Sequence, residues 1–87
     1  MEIAVWDTYV KKNDNQIMHF DILVPSELKD EHVILDFGKH YLKSKSFKTE
    51  QITSKECQFC HLEQATKEII ASIKENGYAI IEMENCD

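Results

Sequence analysis

Residues 57–61 read Cys-Gln-Phe-Cys-His and bring together the side chains with the most varied chemistry in this sequence. Two cysteines three positions apart, followed directly by a histidine, form the pattern through which haem is attached covalently to protein. The same cysteine spacing supplies half of a tetrahedral zinc site, and it is also the spacing of a dithiol redox pair. Three kinds of chemistry are therefore open at this segment.

Covalent haem is the least favoured of the three. The histidine of such a motif must be an axial ligand in a largely apolar pocket, whereas the apolar residues of this sequence are spread over segments that predict a sheet and its helices. Covalent attachment normally takes place outside the cytoplasm, and the N-terminal residues do not read as a signal peptide. Met18 and Met83 could serve as ligands, but both alternate into the expected core. Haem is not expected.

Zinc is possible but the ligand set is incomplete. Tetrahedral zinc requires four ligands, and Cys57, Cys60 and His61 supply at most three of them. Further candidate ligands lie elsewhere in the sequence at Cys86, His19 and His40. In a regular strand Cys57 and Cys60 point to opposite faces, because the side-chain period is two. A shared metal would therefore require a turn between these two cysteines.

The redox interpretation meets a related difficulty. A reactive Cys-x-x-Cys pair usually begins a helix, whose N-terminus lowers the pKa of the first thiol. Here the predicted helix cap, Thr66, lies six residues beyond Cys60. The favoured interpretation is that one cysteine is a small buried apolar residue and the other a passive thiol on an open face. A thiol-dependent redox enzyme remains an alternative, and it requires an exposed cysteine of low pKa.

A hairpin is predicted for the first third of the sequence. Residues 2–10 and 17–24 are rich in β-branched and aromatic residues, and the segment between them has the Asn-Asp-Asn composition of a turn. In the second strand the core face is predicted to carry Met18, Phe20, Ile22 and Val24, with Ile17, His19, Asp21 and Leu23 on the other face. The first strand is apolar on both faces, which indicates a central position in the sheet.

Two helices and two further strands follow. Ser26 is predicted to cap a helix that runs to about Lys43, and Thr66 to cap a second helix that ends at Asn76-Gly77. Residues 57–63 and 78–83 are predicted strands, and the polar segment 44–56 is predicted to be anchored by Phe47 and Ile52. The order is β-β-α-β-α-β. It predicts one α+β domain over residues 1–87, a two-layer sandwich with two helices on one face of a four-stranded mixed sheet.

A second polar cluster follows from this arrangement. If the third strand pairs beside the hairpin, Cys57 and His61 are expected to share the face that carries His19 and Asp21. Asp7 on the first strand could join them. A His–Asp cluster on an uncovered sheet face can perturb pKa values and hold a ligand or a metal, although polar residues on the wet face of a sheet need no functional explanation.

The overall composition limits the partners. Among 87 residues there are 16 Asp and Glu and 10 Lys, with no Arg, so that the formal net charge is −6. Net negative charge opposes the phosphate backbone, and no arginine is available to contact it with two parallel hydrogen bonds, so nucleic acid is not an expected partner. The longest apolar runs are far too short to span a membrane. A cytosolic location with reduced thiols is therefore expected.

Taken together, the residues favour a binding module with a possible Cys/His site over an enzyme. The candidate ligand or thiol residues are Cys57, Cys60, His61, His19 and Asp21, and any zinc is expected at Cys57, Cys60 and His61. Self-association is a further alternative, through apolar positions expected to be uncovered at Ile3, Val5, Ile17 and Leu23.

Four stretches of the sequence resemble a known family. The stretches IAVWDTYV, MHFDILVP, KECQFCHLEQA and GYAIIEMENC are similar to a small bacterial family catalogued as a domain of unknown function and numbered twenty twenty-four. The resemblance spans nearly the whole sequence and implies a complete single-domain bacterial protein with an α+β fold. It implies no reaction, cofactor or partner. The polar residues that fall within these stretches, without a role assigned to them, are Asp7, His19, Asp21, Cys57, Cys60 and His61.

Overall fold

A long hairpin forms the centre of the sheet in the computed structural model, which describes residues 1–87. Its strands are β1 (Glu2–Lys11) and β2 (Ile17–Pro25). In the turn between them, Asn15 adopts a left-handed φ of 70°, and the Asp14 carboxylate accepts a hydrogen bond of 3.0 Å from the backbone N–H of Gln16. Asn and Asp tolerate this conformation and bond locally, so the turn chemistry expected from the sequence is present.

Two edge strands complete the sheet. β3 (Cys57–Gln64) pairs with β1 and β4 (Ala79–Glu84) pairs with β2, which gives the order β3-β1-β2-β4. The α+β class, the order of elements and the central position of β1 are confirmed. The sheet is antiparallel throughout rather than mixed. β2 and β3 run in the same direction, but β1 lies between them, and therefore no parallel pair forms.

Helix α1 (Glu31–Lys43) begins later than the sequence predicted. Its N-cap is Asp30, whose carboxylate accepts a hydrogen bond from the backbone N–H of His32, and the prediction of Ser26 as the cap is wrong. The backbone N–H of Leu28 instead bonds to the carbonyl of Pro25 over 3.0 Å. The chain thus makes a turn after β2, and Asp30 is the first residue able to cap the helix.

Helix α2 (Lys67–Asn76) has the predicted boundaries. The Thr66 hydroxyl accepts a hydrogen bond from the backbone N–H of Ile69 over 3.3 Å. At the other end Gly77 adopts a left-handed φ of 89°, and its N–H bonds to the carbonyl of Ile73 over 2.8 Å. This is the usual glycine termination of a helix, because only a residue without Cβ adopts that conformation freely.

The two helices lie on opposite faces of the sheet. Helix α1 packs through Ile34 on the face formed by even-numbered hairpin residues, a cluster that contains Ala4, Val10, Met18, Phe20, Ile22 and Val24. Helix α2 packs through Ile73 on the opposite face, against Ile3, Val5, Leu23 and Ala79. The predicted core face of β2 is confirmed, whereas the placement of both helices on one face is wrong.

The topology explains this difference. The chain leaves β3 at one edge of the sheet and must reach β4 at the other edge, so α2 has to cross one of the two faces. Because α1 already covers one face, α2 crosses the opposite one. Because β3 ends beside Glu2 and β4 begins beside Leu23, the crossing takes place at one end of the sheet. The other end of this face stays uncovered. We call it the open face; it carries Asp7, Tyr9, His19, Asp21, Cys60 and His61.

Three of the four apolar residues expected to be uncovered are buried under α2. Ile3, Val5 and Leu23 are at most 2% exposed, and only Ile17 is exposed. The segment between α1 and β3 is anchored as predicted, because Ile52 is buried in the α1-side core and Phe47 packs against it. Neither helix has the length and apolar content needed to cross a bilayer.

Candidate metal-binding site on the open face

Three ligand-type side chains converge at the centre of the open face. Asp7 and Asp21 lie directly opposite each other on β1 and β2, and His19 lies two residues before Asp21 on the same side of β2. The Nε2 atom of His19 is 3.8 Å from Oδ1 of Asp7 and 3.6 Å from Oδ1 of Asp21. Strand periodicity thus brings one nitrogen and two carboxylates to one point.

Tyr9 holds the imidazole of His19 in place. The two residues are direct cross-strand partners, and their rings stack with centroids 4.0 Å apart and planes inclined by 12°. Stacking on the tyrosine ring limits rotation of the imidazole and keeps Nε2 directed toward the two carboxylates. Sequence analysis did not identify Tyr9 as part of this cluster; its register opposite His19 was the signal that could have shown this role.

Two polar atoms in this cluster are buried without a partner. Nε2 of His19 and Oδ1 of Asp21 have no hydrogen-bond partner, and the two side chains are only 15% and 14% exposed. Buried polar atoms in folded proteins are almost always hydrogen-bonded, and an exception requires a cause such as a bound ion. The unpaired atoms face each other, so that one ion between them would satisfy both.

The two carboxyl groups titrate as a pair. Burial, and then the neighbouring Asp7 carboxylate, raise the pKa of Asp21 to about 6. The pKa of Asp7 is lowered, chiefly by a hydrogen bond from Asp21. Two adjacent carboxylates on a sheet repel each other, and the pair therefore retains a proton on Asp21 more readily than an isolated aspartate does.

A β-bulge in β3 brings Cys60 to the same face. β3 pairs with β1 through His61 opposite Val5 and through Phe59 opposite Trp6, which leaves Cys60 as an extra residue. A bulge breaks the alternation of side chains. Cys60 and His61 consequently lie side by side on the open face.

Cys57 lies on the other face, and the expectation that it shares a face with His61 is wrong. Cys57 is 1% exposed within the α1-side core, and burial raises the pKa of its thiol. The two cysteines of the Cys-x-x-Cys pair thus lie on opposite sides of the sheet, as strand alternation predicted. The bulge then places His61 on the face of Cys60 and not on the face of Cys57. They hold no common ion in this arrangement.

Cys60, His61 and Glu63 form a hydrogen-bonded row along β3. Nε2 of His61 lies 2.7 Å from Oε1 of Glu63, and Nδ1 lies 3.2 Å from the Cys60 sulfur. A carboxylate only accepts, so in the neutral ring Nε2 carries the proton and Nδ1 accepts from the thiol. The neighbouring Asp7 carboxylate raises the pKa of the Cys60 thiol. This row resembles a nucleophile with its base, but the raised pKa of the Cys60 thiol favours the protonated form, which is the less reactive one.

The cluster fits a small cation better than it fits a covalent reaction. One ligand atom each from Asp7, His19 and Asp21 lie within 4.8 Å of one another. Metal–ligand bonds of about 2.0–2.2 Å in a tetrahedral site place neighbouring ligands about 3.3 Å apart, so the two separations from Nε2 of His19, 3.8 and 3.6 Å, need to contract by only a few tenths of an ångström. Sequence reasoning found Asp7, His19 and Asp21 but missed Glu63, which lies two residues after His61 and shares its face.

The sheet and its two helices define an α+β protein with a polar cluster on an uncovered sheet face. The family model described as Domain of unknown function (DUF2024) matches residues 1–83, and the chain belongs to this family. The chain is also similar to the NMR structure of protein NE1680 from Nitrosomonas europaea, a structural genomics target, with a TM-score of 0.80 and 42% sequence identity over 100% of both chains. No curated protein matches the sequence. Neither the family description nor the name of the related structure states an activity.

Proposed function

We propose that this protein binds a divalent transition-metal ion on the open face, through Asp7, His19 and Asp21. The observation that carries this proposal is the pair of unpartnered, buried ligand atoms on His19 and Asp21, which face each other at 3.6 Å. A bound cation supplies the missing partner for both atoms. It also neutralises the repulsion between the two carboxylates, which otherwise keeps a proton on Asp21.

Zinc fits the ligand types best. The three ligands are one imidazole nitrogen and two carboxylate oxygens. Zinc binds both ligand types, whereas magnesium and calcium prefer oxygen alone. Three protein ligands also leave a fourth tetrahedral position open. The Cys60 thiol is next to Asp7 but lies outside the group of ligand atoms within 4.8 Å of one another. It fills the fourth position only if its side chain turns toward the ion, and a coordinating thiol then loses its proton to the metal.

The thiol redox alternative has less support. It requires an exposed cysteine of low pKa and a second thiol within reach. Cys60 is exposed, but its thiol pKa is raised, and Cys57 is buried on the opposite face. Cys57 and Cys60 therefore cannot form a disulfide without rearrangement of β3.

Calorimetric titration of untagged protein with ZnCl₂ tests the metal proposal. We expect about one ion per chain, with the affinity reduced at least about tenfold in Asp21→Asn and in His19→Gln. Asp36→Asn, an exposed aspartate on α1, is the matched control and should bind as the unchanged protein does. Cys60→Ser separates a three-ligand site from a four-ligand site. Absence of binding, or equal binding by Asp21→Asn and the unchanged protein, would overturn the proposal.

A reducing, cytosolic setting in a bacterial cell is also part of this proposal. Its support is the presence of three free cysteines, since thiols persist where glutathione and thioredoxin keep them reduced. A thiolate ligand at Cys60 would require such a setting. The prediction is checked by locating a tagged copy of the protein after cell fractionation; recovery in an exported fraction would contradict it.

A further inference from the structure

We propose that the outer edge of β3 pairs with the same edge of a second copy of this chain, which joins the two sheets across a two-fold axis. This inference is independent of the metal site. It rests on three features of β3: an uncovered edge, the direction of its backbone groups, and the position of its bulge.

The outer edge of β3 is uncovered, and it carries neither lysine nor proline. β3 pairs only with β1, and every residue of the strand after Cys57 is exposed. Natural edge strands are commonly protected from pairing by lysine or proline. The sequence of β3, CQFCHLEQ, contains neither.

The backbone hydrogen bonds fix which groups face outward. Tyr9 N–H donates to the carbonyl of Glu56 at one end of the β1–β3 ladder, and Ala65 N–H donates to the carbonyl of Met1 at the other end, each over 2.9 Å. Residues of an antiparallel strand alternate between facing their partner and facing away from it. The outward-facing residues are therefore Cys57, Phe59, Leu62 and Gln64. Of these, Cys57 offers only its carbonyl, because its N–H already donates to the carbonyl of Thr53 over 3.2 Å.

The bulge makes this edge unsuitable for a regular strand but complementary to itself. Between the outward-facing residues Phe59 and Leu62 lie two residues, Cys60 and His61, where regular alternation has one. A regular partner strand falls out of step at this point. A second β3 related by a two-fold axis between Cys60 and His61 presents the same two-residue step in the opposite direction, and both strands stay in register.

Only this register satisfies both the backbone and the side chains. Phe59 then lies opposite Leu62 of the second copy as a hydrogen-bonded pair, and the N–H of Gln64 meets the free carbonyl of Cys57. A shift by two residues keeps only one kind of outward-facing pair, Cys57 with Leu62 or Phe59 with Gln64. It places Phe59 against Cys60 in one direction and Leu62 against the inward-facing His61 in the other. The facing side chains also agree, since Gln58 lies opposite Glu63 and no like charges meet.

An apolar patch accompanies the edge on the α1 side. Phe59 and Leu62 are each 50% exposed, and the Phe59 ring contacts Trp6 edge-to-face with centroids 5.8 Å apart. These three residues line a groove of about 530 Å³ together with Leu28. In the paired register, Phe59 and Leu62 of the second copy extend this patch across the axis and bury part of it.

Sedimentation velocity over about 10–500 µM protein tests the pairing. This concentration range is chosen because two chains joined through a single pair of edge strands form a small interface and therefore a weak dimer. We expect a reversible dimer. Leu62→Lys should raise its dissociation constant by about tenfold or more, since the change acts twice in a symmetric dimer. Met83→Lys is the matched control, because Met83 is exposed to a similar degree on the opposite edge strand, and its dimer should be unchanged.

A backbone-directed variant separates strand pairing from apolar contact. Gln64→Pro removes an outward-facing N–H and leaves the inward-facing bonds to β1 intact, so it should weaken the dimer while the circular dichroism spectrum of the monomer is retained. In the unchanged protein, amide exchange should slow with concentration at Phe59, Leu62 and Gln64 but not along β4. Three results would each overturn the proposal: a monomer at all concentrations, a dimer unaffected by Leu62→Lys, or amide exchange that slows with concentration along β4.

Discussion

The Nε2 atom of His19 and the Oδ1 atom of Asp21 face each other at 3.6 Å across one surface of β2, and neither has a hydrogen-bond partner. The distance is too long for a hydrogen bond and suits two ligands of one ion. In the metal-free protein the same arrangement leaves a partly buried carboxyl group beside a second carboxylate. Its cost to the fold depends on pH.

Asp21→Asn is expected to stabilise the metal-free protein above pH 6 but not at pH 4. The pKa of Asp21 is raised from 3.8 to about 6 in the folded chain, so the folded state holds this proton more tightly than the unfolded state does. The resulting stabilisation is fully present below about pH 3.8 and is lost as the pH rises through 6. We expect about 1 kcal/mol at pH 7.5, because the partner Asp7 shifts in the opposite direction and solvent screens the pair.

Urea unfolding at the two pH values, with a chelator present, measures this difference. Asp36→Asn changes an exposed aspartate on α1 and should leave the pH dependence unchanged. If Asp21→Asn and the unchanged protein have the same free energy of unfolding at both pH values, ionisation of the Asp21 carboxyl group does not destabilise the fold, and the prediction is contradicted.

Cys60 is expected to be the only thiol that reacts with a reagent while the protein stays folded. It is the one exposed cysteine of the three, and Cys57 and Cys86 are buried. Since the Asp7 carboxylate raises the pKa of the Cys60 thiol, the reaction should be slower than that of a free thiol at pH 7 and should accelerate in Asp7→Asn. A coloured disulfide reagent gives the number and the rates of reacting thiols. Rapid modification that persists in Cys60→Ser would contradict the assignment.

Ile73→Ala should release α2 from the sheet. Ile73 is the only buried residue of this helix and packs on Ile3, Val5 and Leu23, so we expect a loss of about 2–3 kcal/mol in the free energy of unfolding. Ile70→Ala on the same helix removes a side chain that is only partly buried and should cost less. Chemical denaturation of the two variants compares them, and equal losses would contradict the placement of α2.

Gly77→Ala should destabilise the fold by about 1–2 kcal/mol. Gly77 has a φ of 89°, and an added Cβ would lie 3.2 Å from the Phe37 ring of α1. Gly77→Asn should cost less, because asparagine tolerates the left-handed region. Thermal unfolding ranks the two variants. Lys74→Ala in the exposed part of α2 provides the baseline, and an alanine variant as stable as this baseline would contradict the expected strain.

The sequence predicted the elements well because their signals are local. Alternation in β2, the Thr66 cap and the Asn76-Gly77 termination each depend on residues within a few positions of one another, and each is found in the structure. Strand alternation also predicted that His19 and Asp21 share a face and that Cys57 and Cys60 lie on opposite sides.

The errors arose where distant parts of the chain decide the outcome. The face on which α2 lies depends on which edges β3 and β4 occupy, and a β-β-α-β-α-β order does not determine this. The bulge at Cys60 is a backbone feature of the pairing between β1 and β3, and no glycine or other turn residue marks it. For this reason the partners of His61 were assigned incorrectly while His61 itself was placed on the right face.

The opposite placement of Trp6 and Tyr9 gives the protein two separate optical signals. Trp6 is the only tryptophan and contacts Phe59 on the α1 side, beside the outer edge of β3. Tyr9 stacks on His19 on the other side of the same strand. Tryptophan emission therefore responds to events at the strand edge. The part of the tyrosine absorbance that is lost in Tyr9→Phe responds to events at the imidazole, since Tyr41 and Tyr78 absorb as well. One unlabelled sample can report on both surfaces of the sheet at the same time.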